Sequence, residues 1–451
     1  MYCMSKTKVA TMTEGNIRSQ IYRFAVPVFV SSIFSELYNI TNSLIVGNFV
    51  SLKALSAVSA STWICNIFDY TFYGLGMGAG ILVAKYFGAD DKKNLKKTLD
   101  SSIVFAVVGG ILLTVLAELI LPLMMKLCNI GPDIYDLSMS YLRVYILGNS
   151  AVLTSQMCFY ILRSFGDTRH QLYYSIVSSI ANVLLGIILV RVFDLDVIGT
   201  AIATILSQFL MDILALNLMF NYDGIDFDIH NLDFSFEVIK DICRLGIPAG
   251  FQNMLIAFSS MLVQSFINTF PNEVISGIGV AEKISSWGQL ISCAVASATM
   301  ALVAQNVGAE RFDRVRESIK ESAILSGVYT TVVIAIMYAA APWIISCFNK
   351  DPGVIYYGTQ MLRNSAFGLF FIGFSHVYNA ACRGAGNVKY PMLIAIFSQV
   401  ICKYLFVRIG LGIVHDVRVL YYGTAFGYSV AGILATLYYY TSKWTKEQGI
   451  R

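Results

Sequence analysis

The hydrophobic residues of this chain form twelve long runs separated by short polar stretches. Each run reaches the length of about 20 residues that an α-helix needs to cross a hydrocarbon layer about 30 Å thick. The runs cover residues 20–47, 54–84, 100–127, 138–162, 171–192, 198–221, 243–270, 275–305, 322–348, 355–382, 391–412 and 420–441. The pattern predicts an all-α polytopic membrane protein with 12 transmembrane helices.

The two halves of the chain resemble each other at a spacing of 220–221 residues. Five segments recur in the same order, the last of them three or four residues late: AVPVF around Pro27 and GIPAGF around Pro248, Ala84–Ala89 and Ala304–Ala309, Leu142-Arg143 and Leu362-Arg363, Arg163–Gly166 and Arg383–Gly386, and Gly199-Thr-Ala and Gly423-Thr-Ala. Each repeat holds six spans, so both halves enter the membrane in the same direction. We therefore predict two six-helix lobes related by a pseudo-two-fold axis along the membrane normal. The N-terminal lobe is placed at 1–222, a cytoplasmic linker at 223–240 and the C-terminal lobe at 241–451.

Composition and charge agree with this assignment. The 451 residues are 56% hydrophobic and 13% charged, whereas a soluble domain has roughly 25% charged residues. The net charge of +4, without a dense basic tract, excludes a nucleic-acid-binding surface. Lys and Arg concentrate in alternate loops and at both ends, as Lys6, Lys8, Arg18, Arg23, Lys85, Lys92, Lys93, Lys96, Lys97, Arg163, Arg169, Lys240, Arg244, Arg311, Arg314, Arg316, Lys320, Arg383, Lys389, Lys443, Lys446 and Arg451. The positive-inside rule then predicts cytoplasmic termini and a multi-pass protein of the cytoplasmic membrane.

The sequence contains no recognisable enzyme site. The nine cysteines are scattered without a CxxC pair, and the four histidines, at positions 170, 230, 376 and 415, form no cluster. No G-x-x-x-x-G-K-[ST] motif occurs. The glycines at 74, 76, 78 and 80 lie in an apolar span, where they form a flat face for helix packing. We predict no catalytic residue, no metal and no cofactor, and a process driven by an ion gradient.

Several motifs together resemble the multidrug and toxic compound extrusion (MATE) transporters over essentially the whole chain. The stretch Leu37–Gly47 is similar to the family's first helix, and Gly74–Ala89 to its glycine-rich second helix and the following turn. The segments Arg163–Gly166 and Arg383–Gly386 are similar to its paired inner-loop motifs. The resemblance implies an outward-opening V of two lobes. It also implies export of organic, drug-like and often cationic compounds in exchange for Na⁺ or H⁺, with a monomer sufficient for transport.

The chain departs from the family where many members carry acids. Asn42 stands in the first helix at a position that is Asp in many bacterial members, and Gly186 follows Asn182–Leu185 where another Asp is frequent. Ile256 and Ile372 stand at the corresponding positions of helices seven and ten. The coupling ion and its site therefore cannot be carried over from the family.

Acids inside the spans are the first candidates for ion coupling. A charged carboxylate near mid-membrane costs on the order of 2.5–3.5 kcal/mol, so its presence indicates a function or a polar partner. Glu36 lies on one helix face with Ser32, Asn39 and Ser43, and Asn42 is at the edge of this face. The functional interpretation is a cation or proton site; the alternative is a neutral Glu that is hydrogen-bonded to a neighbouring helix.

Two further acids of the first half lie inside spans. Asp69 either shares an ion with Glu36 or forms a polar pair between helices. Asp212 lies eight residues beyond Thr204, near the same face, and suits an internal pair better. The predicted ion-coupling residues are Glu36, Asn39, Asn42, Asp69, Asn182 and Thr204.

The second half has polar residues in its spans without an acid beside them. Ser260, Gln264 and Asn268 share one face of the seventh span, which also carries Gln252, and His376 lies in the tenth. Hydrogen bonding to a substrate and ordinary helix packing both fit this pattern. The predicted substrate-cavity residues are Gln252, Ser260, Gln264 and His376.

Pro27 and Pro248 occupy equivalent places early in the two halves. Proline removes a backbone hydrogen bond and bends a helix, which produces either a hinge or a static kink. The resemblance favours a hinge at Pro27, and we predict hinges at both positions.

Other transport functions remain open. The alternative is a flippase or exporter of a lipid-linked or specific metabolite substrate from the same superfamily. A flippase for lipid-linked sugars would favour a strongly cationic cavity that holds pyrophosphate. The mid-span ionisable residues of the first half are mostly acidic, which disfavours a pyrophosphate-binding flippase. A channel is disfavoured because a two-fold repeat with acids near the midplane suits alternating access. The predicted partners are a small organic substrate, a monovalent cation and the lipid bilayer.

Overall fold

All regular elements that the structure describes are helices. The structure is a computed structural model that describes residues 11–128, 130–222 and 231–442. The acidic part of the predicted linker, Asp223–Asp228, lies outside these ranges, as do the basic residues Lys6, Lys8, Lys443, Lys446 and Arg451. The end of that predicted linker is helical, since a helix begins at Phe236.

Twelve helices follow one another along the described chain. They are α1 (Ile17–Phe49), α2 (Leu52–Gly88), α3 (Lys92–Leu127), α4 (Pro132–Leu147 and Asn149–Ser164), α5 (Thr168–Val192), α6 (Asp196–Phe220), α7 (Phe236–Ile267), α8 (Asn272–Gly308), α9 (Phe312–Phe348), α10 (Pro352–Gly384), α11 (Lys389–Ile413) and α12 (Arg418–Thr441). Nine of them are long and apolar enough to cross a membrane, and α4 is a tenth when its two segments are taken together. The remaining two, α10 and α12, have 33 and 24 residues. The predicted all-α membrane fold is confirmed.

Four of the helices depart from a regular α-helix. The two segments of α4 meet at a bend of 48°. Gly148 at this bend is closely packed, because a Cβ atom there would lie 2.5 Å from Ile205 Cγ1. Helices α3, α5 and α11 contain π-helical segments at Phe105–Gly109, Ile188–Val192 and Ile396–Cys402. The hydrophobic pattern predicts neither feature, since a long apolar run indicates the length of a span but not a local change in its backbone hydrogen bonding.

The repeated Arg-x-x-Gly motifs form the same helix end in both halves. Gly166 and Gly386 have φ values of +74° and +84°, which only glycine adopts readily. The N–H of each glycine donates to the carbonyl of the arginine three residues earlier, at 2.9 Å from Arg163 and 2.8 Å from Arg383. This left-handed residue ends the helix and satisfies its last carbonyls. The glycine of the motif is therefore required by the backbone conformation at the end of the helix.

Contacts divide the chain into two compact units that differ from the predicted lobes. One, here the N unit, contains Val30–Gly250; the other, the C unit, contains Met12–Phe29 and the residues from Phe251 onward. The first half of α1 thus belongs with α8–α12, and the first half of α7 belongs with α2–α6. The predicted lobes follow the sequence repeat, whereas packing exchanges these two helix halves.

Glycines of α2 allow close approach of its neighbours inside the N unit. A Cβ atom at Gly74 would lie 2.5 Å from the carbonyl oxygen of Gly246, and one at Gly78 would lie 2.5 Å from that of Ile242. On the other face, a Cβ atom at Gly76 would lie 2.9 Å from the carbonyl oxygen of Gln156. The glycines form two packing faces, towards α7 and α4, where the sequence had predicted one.

The first half of α1 is held in the C unit by its own core contacts and by the segment before it. The N–H of Met12 donates to Gln305 Oε1 at 2.8 Å. The Arg314 guanidinium donates to the carbonyls of Met12 and Gly15, at 3.3 and 3.0 Å. Five side chains of α1 join a buried core. They are Ile17, Ile21, Phe24, Ala25 and Val28, and they pack there with residues that include Ala298, Leu302, Val315 and Ala435.

Large apolar side chains cover the outer faces of several helices. On α3, Leu112 is 66% and Leu119 is 74% exposed, and on α9 Val328 is 59% exposed. An apolar surface of this extent is stable only against lipid or another apolar partner. It explains how a chain with so few charged residues remains folded.

Substitution of Gly78 by alanine should destabilise the N unit. The added methyl group would overlap the Ile242 carbonyl, so α2 and α7 must separate, and overpacking of this kind costs about 1–3 kcal/mol. The midpoint of thermal unfolding in detergent should fall. Gly279→Ala is the matched control, because a Cβ atom there has no neighbour within 4 Å. Equal midpoints for the two variants would contradict the packing argument.

Candidate functional site

Polar side chains of α1, α5 and α6 meet inside the N unit around Thr204. The Tyr38 hydroxyl donates to Thr204 Oγ1 at 3.0 Å. Asn182 Nδ2 donates to the same oxygen and to Ser207 Oγ, each at 3.4 Å. Asn42, one turn after Tyr38 on α1, lies within hydrogen-bonding range of the Tyr38 hydroxyl. We call these five residues the amide cluster; it brings together three of the predicted ion-coupling residues.

Helix geometry places this cluster. Helices α5 and α6 are joined by a short turn, and Asn182 and Thr204 lie at similar distances from it, so they face each other. Both are buried, with exposures of 0% and 7%. Thr204 also donates to the carbonyl of Thr200 at 3.0 Å, one turn earlier in α6, and this bond fixes its rotamer.

Two acceptors in the amide cluster are buried without a hydrogen-bond partner among the described residues. They are Oδ1 of Asn42 and Oδ1 of Asn182. An unsatisfied buried polar atom costs about 1–3 kcal/mol, and folded proteins contain few of them. Amide oxygens and a hydroxyl can replace the hydration shell of a monovalent cation. The cluster therefore has the chemistry of a cation site, with neutral ligands in place of the family's acids.

Asp69 lies in the N unit beside α4, and among the described residues no hydrogen bond joins it to the amide cluster. Its two carboxylate oxygens accept the Tyr145 hydroxyl at 3.1 and 3.2 Å. No ion pair joins Asp69 to another side chain that the structure describes. The carboxylate is therefore held between helices by a neutral donor.

The structure places no described side chain within bonding distance of the Glu36 carboxylate. Glu36 is partly exposed on α1. Among the described residues, no contact joins Glu36 to Asp69. An ion shared by the two carboxylates would not require them to touch. The side chains of Asn39 and Ser43 lie outside the described part of the structure, so the predicted polar stripe is described only at Ser32 and Glu36.

Asp212 is buried in the N unit, with 5% exposure. Its Oδ1 accepts the Ser155 hydroxyl of α4 at 2.5 Å. This is the internal pair that the sequence favoured for Asp212, and it links α6 to α4.

The predicted substrate-cavity residues of the C unit fall into separate places. Gln252 is buried, and its Oε1 accepts from the Arg383 guanidinium at 2.7 Å. His376 lies two turns before Arg383 on α10, and its buried Nε2 has no hydrogen-bond partner in the described structure. Ser260 is exposed, and Gln264 donates to Asn268 Oδ1 at 2.9 Å on the same helix. Gln252 and His376 thus share a neighbour, whereas Ser260 and Gln264 lie further along α7.

Both predicted hinge prolines lie inside unbroken helices. Pro27 is within α1, and Pro248 is within α7. The boundary between the two units crosses α1 between Phe29 and Val30 and crosses α7 between Gly250 and Phe251. Each proline therefore lies two residues before the last residue of the helix half that has been exchanged.

Sequence reasoning missed the hydroxyl donors of these sites. Tyr38 and Tyr145 supply the aromatic hydroxyls that bind Thr204 and Asp69. Ser155 supplies the donor to Asp212. Tyrosine and serine are frequent in membrane helices, so no local signal separates these residues from others of their type. The helical spacing of Tyr38 and Asn42, four residues apart, was the one signal that could have found the first of them.

Comparison with known families supports one assignment. The family model MatE matches residues 27–188 and 248–407. Its two matches begin at Pro27 and Pro248, the residues that the internal repeat aligned. The chain is 24% identical to the probable multidrug resistance protein YoeA of Bacillus subtilis, covering 99% of both chains. It is 24% identical to the multidrug export protein MepA of Staphylococcus aureus, covering 85% of both.

Solved structures share the fold. A crystal structure of a MATE protein in a bent conformation has a TM-score of 0.91 at 20% identity, covering 99% of this chain and 100% of that one. A transporter of the MOP superfamily from Pyrococcus furiosus has a TM-score of 0.90 at 19% identity, covering 98% and 100%. With a family model matching most of its length and this fold, the chain belongs to the MatE family, the multidrug and toxic compound extrusion transporters that its motifs predicted.

Proposed function

We propose that this protein is a secondary-active antiporter that exports organic, drug-like and often cationic compounds in exchange for Na⁺ or H⁺. The observation that carries the proposal is the amide cluster, where two buried amide oxygens lack a donor inside a membrane-spanning unit. The names of YoeA and MepA, a multidrug resistance and a multidrug export protein, support the same substrate class. Transport would need no cofactor and no second copy of the chain.

We assign ion coupling to the N unit. Asn42, Asn182 and Thr204, and Asn39 on the same helix, provide neutral oxygens, and Glu36 and Asp69 provide negative charge. A cation bound by neutral oxygens still requires charge compensation nearby in a medium of low dielectric constant. Glu36 is suited to this because its carboxylate has no described partner and is partly exposed.

Substrate contacts are assigned to the C unit. His376 has an unpaired ring nitrogen, and Gln252, Ser260 and Gln264 offer neutral hydrogen-bonding groups along α7. A site without a fixed acid suits substrates that differ in charge distribution, since it binds them mainly through apolar surface and a few hydrogen bonds.

We place the protein in the cytoplasmic membrane with both termini in the cytoplasm. The segment before α1 lies against Arg311 and Arg314, whose loop belongs to the basic set of loops. Thr13 and Gly15 therefore lie on the same side as these basic residues, which agrees with the positive-inside rule.

The proposed transport cycle alternates access between the two units. α1 and α7 each belong partly to one unit and partly to the other, so a change in their arrangement must be absorbed in these two helices. Proline weakens a helix at the carbonyl four residues earlier, which for Pro27 is that of Arg23. Pro27 and Pro248 are thus the proposed hinges.

Glu36→Gln should abolish ion-driven export. The substitution keeps the size of the side chain and removes the charge that would compensate a bound cation. We expect the initial rate of efflux of a fluorescent lipophilic cation from proteoliposomes, under an imposed Na⁺ or H⁺ gradient, to fall at least ~10-fold, or ~1.4 kcal/mol in activation free energy.

Glu118→Gln is the matched control for this experiment. Glu118 lies on α3 with its carboxylate 3.9 Å from the Arg143 guanidinium, so it already has a counter-charge. Full gradient-driven transport by Glu36→Gln would remove Glu36 from the mechanism. Absence of transport by the unmodified protein under either gradient would instead favour the flippase or specific metabolite exporter.

Pro27→Ala should slow transport without unfolding the protein. Restoring the backbone donor at position 27 lets α1 close its hydrogen-bond ladder, which stiffens the helix where it crosses between units. We expect a several-fold lower efflux rate with an unchanged or higher thermal midpoint. Pro122→Ala and Pro342→Ala are controls, because these prolines lie inside α3 and α9, within a single unit. Equal slowing by all three variants would indicate a general effect of removing proline.

A further inference from the structure

Asn149 begins the second segment of α4, and its side chain is buried without a partner. Its exposure is 0%. Neither Nδ2 nor Oδ1 has a hydrogen-bond partner in the described structure. A primary amide offers two donors and an acceptor, so Asn149 leaves both kinds of group unsatisfied inside the N unit. Such a residue calls for a partner that forms in another state of the protein.

The packing of α2 against α4 fixes which residue faces Asn149. A Cβ atom at Gly76 would lie 2.9 Å from the carbonyl oxygen of Gln156, and one at Gly80 would lie 3.0 Å from Tyr160 Cβ. Both pairs are separated by 80 residues. The two helices are therefore parallel neighbours with a constant register along this contact.

This register places Asp69 opposite Asn149. The two residues are also 80 apart, and each lies seven residues, or two helical turns, before the contact of Gly76 with Gln156. Both helices are unbroken over these two turns, because Asn149 starts the segment that continues to Ser164. Asp69 and Asn149 therefore lie at one level on the two faces that touch.

Contacts on the other side of the α4 bend agree with this register. The Ser138 hydroxyl donates to the carbonyl of Ala57 at 3.2 Å, a pair 81 residues apart. The Tyr145 hydroxyl, four residues before Asn149, reaches the Asp69 carboxylate. The bend at Gly148 thus leaves the relative level of α2 and α4 unchanged.

No described base is paired with Asp69. The titratable side chains on which the Asp69 charge acts are Tyr38 on α1, Cys65 and Tyr70 on α2, and Tyr141 and Tyr145 on α4. Arg143 on α4 is paired with Glu118. Among the described residues, Asp69 therefore has neutral groups around it and the Tyr145 hydroxyl as its donor.

We propose that Asp69 and Asn149 form a proton-binding site, in which the protonated carboxyl of Asp69 pairs with the Asn149 amide across α2 and α4. The acid O–H donates to Asn149 Oδ1, and Asn149 Nδ2 donates to the other carboxyl oxygen. Loss of the proton removes the first of these bonds. The carboxylate then turns from the amide N–H to the phenolic O–H of Tyr145, which is the stronger donor, and both of its oxygens accept that hydroxyl, as in this structure. The inference rests on the proposed export function and makes Asp69, which we assigned to ion coupling, the residue that carries H⁺.

A proton fits this site better than a metal cation. A cation would bind the carboxylate and Asn149 Oδ1, but it would leave the Nδ2 donor unpaired and facing a positive charge. Protonation satisfies both unpaired atoms of Asn149 and removes a buried charge in the same step. The bend at Gly148 lies directly beside the pair, so its formation acts on the part of α4 that already departs from a straight helix.

Infrared spectroscopy of the purified protein in lipid vesicles, titrated with acid, tests the pair without a substrate. We expect a carboxylic-acid carbonyl band that moves on deuteration, is lost in Asp69→Asn and is displaced to higher frequency in Asn149→Leu. Asp212→Asn is the control, because that carboxylate is bonded to Ser155, and the Asp69 band should persist in it. Asn149→Ala replaces Asn149→Leu should the larger side chain prevent folding.

A band that is unchanged in Asp69→Asn, or one that does not move when Asn149 loses its amide, would overturn the proposal. In Na⁺-free proteoliposomes, efflux of the lipophilic cation driven by a pH gradient should fall at least tenfold in Asp69→Asn; undiminished efflux would remove the proton of this pair from coupling. If the unmodified protein exports nothing but shows both band changes, the export function fails while the acid–amide pair stands.

Discussion

The structure depends on the exchange of two helix halves between its units. Neither unit can bury its interior with helices of its own repeat alone, because the leading half of α1 packs in the C unit and that of α7 packs in the N unit. The glycines of α2 accept α7 at backbone distance, and Met12 and Gly15 are tied to Arg314 by hydrogen bonds. The two units are therefore joined through continuous helices, α1 and α7, and each of these helices has a proline close to the boundary between the units.

Within the N unit, the buried polar groups described above connect neighbouring helices. The amide cluster and the Asp69–Tyr145 pair lie in an interior without ordinary water, where an unsatisfied atom is expensive and a satisfied one fixes two helices against each other. The amide cluster contains no acid, and the carboxylate of Asp69 lies on another helix, α2.

Features that depend on one helix were predictable from the sequence, and features that depend on two were not. The twelve apolar runs and the glycine at the end of each Arg-x-x-Gly motif are local features. A membrane span is recognised by its length alone, and the glycine is required because its backbone has a positive φ. Asn149 has no such signal, because its importance depends on the residue of α2 that lies opposite it, 80 positions earlier in the sequence. The repeat gives no signal for the packing of residues 12–29 and 241–250, because similarity between the halves does not determine which half completes which core.

The same exchange has a consequence for biosynthesis. A chain made from its N-terminus can complete the N unit once α7 has been synthesised, since that unit ends at Gly250. Ile17 and Phe24 belong to a core that includes Ala435 and Tyr439, which are synthesised about 400 residues later. The leading half of α1 therefore lacks these partners until α12 has been made. Insertion machinery or lipid has to cover that half in the meantime.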